Sequence, residues 1–323
     1  MRRDIPPLDE VRRITQKKRD AWWTVLLVDP VATPLVRLTA MRTRITPNQI
    51  TWGAFLLGLV SAAFFALGDW RWLIAGAVVY HLSFILDCMD GKVARLTGTG
   101  SVFGAWLDFV FDRIRVMACA VALMWGQYDR TGESLYIWAA VAVVGLDTLR
   151  YINSLEIFKI RHSMRKQIKV RMRAARRAEN QAELAFMEDL LRDNPEADIE
   201  QDLQKARSEA GIPEAEAPEV APVVKPQVID LHQEFRRKFP AYLRARSFLL
   251  RHRIRAHLVS GIEFQMGVFM IGPLFDVVLP ATIVSGALLL VFELAIIYKL
   301  LLSTRDFTRT IDSFEERKVM AAA

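Results

Sequence analysis

Long runs of apolar residues alternate with short polar breaks through two parts of the chain. Runs of about 20 residues are long enough for an α-helix to cross the hydrocarbon core of a bilayer. Six such runs predict six transmembrane helices. They lie close to residues 50–67, 73–94, 102–125, 135–155, 262–280 and 282–302. We therefore predict an all-α polytopic membrane protein.

The stretch before the first predicted span has a different pattern. Residues 20–41 hold two tryptophans and several leucines, but Pro30 and Pro34 interrupt them. We expect an N-terminal interfacial amphipathic segment that lies along the lipid headgroups. Thr46 is a suitable N-cap and Pro47 suits the first helical position, so the first transmembrane helix should begin near Pro47.

Charge predicts the orientation. The chain has 43 Lys and Arg against 36 Asp and Glu, a formal net charge of +7. Basic clusters precede the first predicted span and follow the fourth, so we expect both termini and the loop 156–258 to face the cytoplasm. The expected location is a bacterial cytoplasmic membrane. The basic runs lack a nucleic-acid-binding motif, and we expect membrane lipid rather than nucleic acid as their partner.

The long loop divides by charge and composition. Residues 159–177 and 236–255 are basic, whereas acids dominate between 179 and 219. This alternation favours helices that pair with each other and with anionic lipid. Residues 211–226 have the composition of a flexible linker. A loop of about 100 residues is a candidate regulatory, assembly or acceptor-selecting insertion.

These patterns divide the chain into five parts. They are an N-terminal cytoplasmic or interfacial segment (1–45), four transmembrane helices with the candidate site (46–155), a charged helical insertion (156–258), two further transmembrane helices (259–303) and a cytoplasmic tail (304–323).

Four aspartates lie inside the second and third predicted helices. They are Asp87, Asp90, Asp108 and Asp112. Inserting a carboxylate at the centre of a transmembrane helix costs roughly 2.5–3.5 kcal/mol. The four acids therefore indicate a functional site. At 100° per residue, each pair shares one face of its helix with small residues. Those small residues are Gly91, Ala94 and Gly104. One acidic face can therefore meet the other across the helix pair.

The donor atoms indicate the chemistry. Several carboxylates favour Mg²⁺, Mn²⁺ or Ca²⁺ over zinc, and neither the two cysteines nor the five histidines have a metal-ligand spacing. Two such ions can stabilise the attacking and leaving oxygens of an in-line displacement, which implies phosphoryl transfer. Arg95, at the end of the second predicted helix, can complement phosphate charge.

The complete motif resembles the signature of the CDP-alcohol phosphotransferases. It reads Asp87-x2-Asp90-Gly91-x2-Ala94-Arg95-x8-Gly104-x3-Asp108-x3-Asp112, and all eight fixed positions match. Pro47-Asn48-x2-Thr51 also resembles a family feature. The detailed resemblance covers 26 residues, from Asp87 to Asp112.

The resemblance implies a reaction in which a hydroxyl acceptor attacks the phosphoryl group on the alcohol moiety of a CDP-alcohol and releases CMP. It implies two Mg²⁺ or Mn²⁺ ions held by Asp87, Asp90, Asp108 and Asp112, with Asp112 as general base. It also implies a homodimer. The substrate-binding residues would be Gly91, Ala94, Arg95, Gly104, Asn48 and Thr51.

The substrates stay open at this point. We favour CDP-diacylglycerol and phospholipid synthesis, because a membrane location gives a lipid-linked donor direct access to the site. A soluble CDP-alcohol that yields a phosphodiester, such as an inositol phosphodiester, is the alternative. An aspartate-rich prenyltransferase is a further alternative, but it would have two separated acidic motifs and more spans. A non-catalytic transporter or scaffold would have a repeat of the acidic helices, and the sequence has none.

Overall fold

A computed structural model describes residues 5–193 and 240–322. The described residues are helical, and they form no strands, only an isolated bridge between Asp20 and Ile254. The predicted linker at 211–226 lies outside the described residues. The helices are α1 (Leu8–Thr15), α2 (Thr24–Arg42), α3 (Pro47–Ala66), α4 (Trp70–Thr97), α5 (Val102–Thr131), α6 (Leu135–Asp193), α7 (Pro240–Arg251), α8 (261–274) and α9 (Val278–Ala322).

Five of the described helices are long and apolar enough to cross a membrane, which confirms an all-α polytopic membrane protein. They are Thr24–Arg42, Pro47–Ala66, Trp70–Thr97, Leu135–Ala174 and Val278–Glu315. The predicted set of six differs at α2, α5 and α8.

The α2 segment forms one helix of 19 residues and is not broken at its prolines. Pro30 lies two residues after the π turn Thr24–Val28, inside the helix, where it lacks an N–H to donate to the preceding turn. Pro34 lies inside the helix and removes a single backbone hydrogen bond. The helix is therefore continuous, and α2 joins the candidate spans by its length and composition. Its interfacial position stays a prediction.

The other two differences have simple causes. Helix α5 has 30 residues but carries too many charged side chains to count as a span by composition. The predicted span at 262–280 is instead α8, composed of Gly261–Met266, a π turn at Gly267–Ile271, and Gly272–Leu274. At 1.5 Å per residue α8 is about 21 Å long, shorter than the roughly 30 Å hydrocarbon core.

Local signals define the ends of the helices around the site. Thr46 and Gln49 form a capping box at the start of α3, so the predicted start at Pro47 is confirmed. Ser101 caps α5 by accepting a hydrogen bond from the N–H of Gly104 at 2.9 Å. Helix α4 ends at Gly98, whose φ of 67° is easily adopted only by a residue without a side chain. These local signals define a short connection between α4 and α5.

Helix α3 packs against both α4 and α5, and small residues allow close approach. Ser61 of α3 donates to the carbonyl oxygen of Gly76 at 2.8 Å. A Cβ atom at Gly76 would lie 2.6 Å from the ring of Phe65, so only glycine fits there. These contacts hold the two acidic helices in one bundle with α3.

The N-terminal segment binds the chain that precedes α8. The N–H of Asp20 donates to the carbonyl oxygen of Arg253, and the N–H of Arg255 donates to that of Asp20, both at 2.9 Å. The side chain of Asp29 accepts from Arg253 at 3.2 Å and from the buried Lys92 of α4. Charged contacts therefore connect α2 to the helix that carries the first two motif aspartates.

The chain divides into two compact units. The first comprises residues 1–156 and 239–299 and contains the motif. The second comprises residues 157–238 and 300–323. Within the second unit, Arg171 donates to Glu315 at 2.6 Å.

Candidate active site

The four motif aspartates lie on adjacent helices. Asp87 and Asp90 are on α4, and Asp108 and Asp112 are on α5. Asp87 interacts electrostatically with each of the other three carboxylates. The structure thus brings together the two acidic faces predicted from helical periodicity.

Arg115 supplies a buried cation between the two acidic helices. Its guanidinium Nη2 donates to Asp112 Oδ1 at 2.5 Å, and its Nη1 lies 3.2 Å from Asp87 Oδ1. The residue is only 1% exposed. A Cβ atom at Gly58 of α3 would lie 2.5 Å from Arg115 Cδ, so Gly58 provides the space for this side chain. Arg115 is therefore a buried part of the cluster rather than a surface charge.

A second guanidinium approaches Asp112 from the other side. Arg113 donates through Nη2 to Asp112 Oδ2 and through Nη1 to Asp147 Oδ2 of α6. Asp147 is buried, and its Oδ1 accepts from Gln265 of α8 at 3.0 Å. Both oxygens of Asp112 thus have arginine partners, which stabilises the ionised carboxylate.

Helix α3 contributes polar contacts to both acidic helices. Thr51 Oγ1 donates to Asp90 Oδ2 at 2.6 Å, and both residues are buried. A Cβ atom at Gly104 would lie 2.7 Å from Asn48 Oδ1. Gly104 therefore makes room for Asn48 of α3.

The remaining predicted substrate residues lie toward the end of α4. Gly91 and Ala94 are half-buried, and Arg95 is exposed. Arg95 donates through Nε to the carbonyl oxygen of Thr15 in α1 at 3.0 Å. Its Nη1 lies 3.6 Å from the position of a Cβ atom at Gly91. The guanidinium and the two small residues thus share one region next to Asp90.

The donor set fits a divalent cation in its chemistry, because four carboxylates from two adjacent helices supply hard oxygen atoms. Among the described residues, no three His, Cys, Asp or Glu side chains are arranged to hold a metal ion. Asp87 and Asp112 are turned toward Arg115, and Asp112 also contacts Arg113. Binding an ion to the whole set therefore requires rotation of carboxylate side chains.

Sequence reasoning missed the partners of several buried acids. Asp147 pairs with Arg113. Glu263 caps α8 through Ser260, and Glu293 accepts from Asn153 at 2.6 Å. The Ser260–Glu263 capping box has a local sequence signal, but the Arg113–Asp147 and Asn153–Glu293 pairs have none, since their members are far apart in sequence. The only available hint was that these charges occur in apolar runs.

Comparison with known proteins identifies a family match in this part of the chain. Residues 44–176 match the profile of the CDP-alcohol phosphatidyltransferase family. This stretch contains α3, α4 and α5, with all four motif aspartates. The helices and the motif of residues 44–176 therefore resemble those of a CDP-alcohol phosphatidyltransferase domain.

Curated relatives match the same region. A phosphatidylinositol phosphate synthase of Corynebacterium glutamicum is 33% identical over 132 residues, which are 40% of this chain and 57% of that protein. A bifunctional IPC transferase and DIPP synthase of Aquifex aeolicus is 42% identical over 110 residues, 33% of this chain and 24% of that protein. An archaetidylinositol phosphate synthase of Pyrococcus horikoshii is 38% identical over 86 residues, 26% of this chain and 44% of that protein. The matched part thus spans little more than half of these relatives at most.

Proposed function

We propose that this chain is an integral-membrane phosphotransferase that moves the phosphatidyl group of CDP-diacylglycerol to a hydroxyl acceptor and releases CMP. The observation that carries the proposal is that Arg115 contacts Asp87 of α4 and Asp112 of α5 together, within the stretch that matches the family. The apolar helices around the site support a lipid-linked donor, because such a donor reaches the site from within the bilayer.

The proposed enzyme depends on a divalent metal. Asp87, Asp90, Asp108 and Asp112 would hold Mg²⁺ or Mn²⁺, two ions in the family pattern. When bound, the metal neutralises phosphate charge and favours departure of CMP. Thr51 supports this assignment, because its hydroxyl donates to Asp90 and orients that carboxylate.

Asp112 is the proposed general base. The acceptor oxygen attacks the phosphorus of the phosphatidyl group, the bond from that phosphorus to the CMP oxygen breaks, and the acceptor proton passes to Asp112. Arg115 holds Asp112 Oδ1 from inside the bundle. Oδ2 faces Arg113, whose side chain is 20% exposed, so Oδ2 is the oxygen that an acceptor can reach.

The other predicted residues line the donor site in this proposal. Gly91 and Ala94 leave room beside Asp90, and Arg95 places a positive charge in the same region. Asn48 and Gly104 pack together where α3 meets α5. The homodimer, the cytoplasmic termini and the bacterial cytoplasmic membrane stay predictions.

The names of the relatives guide the choice of acceptors. Phosphatidylinositol phosphate and archaetidylinositol phosphate synthases among them place inositol phosphates first in an acceptor panel. A soluble CDP-alcohol that yields a phosphodiester, such as an inositol phosphodiester, is the second candidate donor.

The test is CMP release by the purified protein in lipid. CDP-diacylglycerol and soluble CDP-alcohols are each paired with inositol phosphate, inositol, glycerol phosphate and serine. We expect metal-dependent CMP release with CDP-diacylglycerol and one acceptor, abolished by EDTA and by Asp87→Asn. Release of CMP only from a soluble donor would select the second candidate. No CMP release with any pair would refute both candidates.

A further inference from the structure

A chain of hydrogen-bonded polar side chains extends from Asp112 to helices outside the motif. Arg113 joins Asp112 to Asp147 of α6, and Asp147 accepts from Gln265 of α8. Gln265 Oε1 in turn accepts from the hydroxyl of Tyr80 on α4 at 3.4 Å. This network links α5 to three elements at one point.

Arg113 is the member of this network that contacts both carboxylates, and its side chain is 20% exposed. Its guanidinium lies 5.3 Å from the centre of the Tyr151 ring, which stacks on Phe109 of α5. Because Asp147 is 3% exposed and also held by Gln265, it cannot follow Arg113 if Arg113 moves. Asp147 is therefore the fixed anchor of the guanidinium, and Asp112 is its second partner.

The carboxylate of Asp147 lies near the side chains of two arginines. Arg113 contacts it directly, and Arg150 of α6 interacts with it electrostatically. A Cβ atom at Gly261 would lie 2.4 Å from Arg150 Cζ, so α8 closes over this guanidinium. Arg150 Nε is buried without a hydrogen-bond partner. The charge of Asp147 thus balances two arginines next to the site.

We propose that Asp147 is a positioning residue for the transfer reaction, because it keeps hold of Arg113 when Asp112 Oδ2 turns to the acceptor hydroxyl. This inference rests on the proposed role of Asp112 as base. Without the second carboxylate, Arg113 has Asp112 as its only carboxylate partner and stays on Oδ2. The acceptor then competes with a charge-assisted hydrogen bond in a largely water-excluded site.

The first test is steady-state kinetics of Asp147→Asn and Asp147→Glu. We expect kcat of the Asn variant to fall about tenfold or more, as for partners that orient a reacting group, while the KM for the CDP-alcohol stays within about twofold. The Glu variant keeps the charge and should recover most of kcat. Wild-type kcat in Asp147→Asn, or equal loss in both variants with a raised donor KM, would overturn the proposal.

A matched control is available at the other end of α5. Asp276 also forms an ion pair with an arginine of α5, since its carboxylate accepts from Arg130 at 2.6 and 3.1 Å. Its partner Arg130 lies near the end of α5, far from Asp112, and Asp276 takes no part in the proposed reaction. Asp276→Asn should keep wild-type kcat. An equal fall in kcat in this control would show a general effect of ion-pair loss and would overturn the positioning role.

A second measurement does not depend on turnover. If Asp112 and Asp147 share Arg113, each single Asn variant leaves the arginine one carboxylate, and the double variant leaves it none. The double variant should therefore lower the midpoint of thermal unfolding by more than the sum of the two single shifts. Additive shifts would overturn the shared contact. A wild-type protein that releases no CMP but shows the excess shift would refute the proposed function, and with it the positioning role, while confirming the shared contact.

Discussion

At the scale of single residues, Asp112 is defined by its two arginine partners. Helical spacing placed it beside the other acids, but it could not show that Arg113 and Arg115 take its two oxygens. Arg113 and Arg115 follow Asp112 by one and three positions, so their side chains leave α5 in different directions. Only packing against α3 and α6 turns both toward the same carboxylate.

Asp112→Asn separates proton transfer from donor binding. We expect the variant to bind CDP in the presence of Mg²⁺ but to release CMP at least about 100-fold more slowly, because an amide cannot accept the acceptor proton. Calorimetry with CDP and a CMP-release assay measure the two properties.

Two variants at proposed metal ligands are the comparison for this experiment. Asp87→Asn and Asp108→Asn should weaken CDP binding as well as turnover. Normal turnover of Asp112→Asn would remove this residue as the base, and loss of its CDP binding would assign it mainly to the metal.

At the scale of helices, caps and proline positions predicted where α3 begins, whereas the docking of α2 was not predictable. The contact depends on Asp29 and Lys92, which are 63 positions apart. Both are buried, and Thr33 Oγ1 lies 3.3 Å from Lys92 Nζ. A lysine inside the motif therefore holds the N-terminal helix and is not free to bind substrate.

Asp29→Asn tests this helix contact. The change leaves Lys92 and Arg253 without their shared carboxylate, and removal of one partner from a buried pair costs about 3–5 kcal/mol. We expect a clearly lower midpoint of thermal unfolding in detergent. The double variant Asp29→Leu/Lys92→Met should recover part of the loss, since the buried ammonium is removed and only the partly exposed Arg253 loses its carboxylate partner.

Asp9→Asn is the control for Asp29→Asn. Asp9 pairs with Arg12 on the surface of α1, and its side chain is 92% exposed. Exposed pairs contribute about 0–1 kcal/mol, so the midpoint should hardly move. Equal shifts in the two variants would show that the Asp29–Lys92 pair contributes no more than a surface contact.

At the scale of the whole molecule, the candidate spans and the four aspartates lie outside residues 179–226. A variant that lacks those residues should still insert into membranes and release CMP. Membrane fractionation and the CMP assay measure these two outcomes. Loss of both would show that the insertion is part of the transmembrane structure, whereas loss of CMP release alone would assign it to substrate use.

The sequence by itself determined the helical class, the start of α3 and the two acidic faces, because periodicity, caps and helical rotation act over a few residues. It also gave the resemblance to the family, since the motif lies on two consecutive helices. The tertiary structure decided that α2 is one continuous helix and that 262–280 is not one span. It also decided that Arg113, Arg115 and Asp147 surround Asp112. These features depend on contacts between residues far apart in the chain, and such contacts form only when whole helices pack.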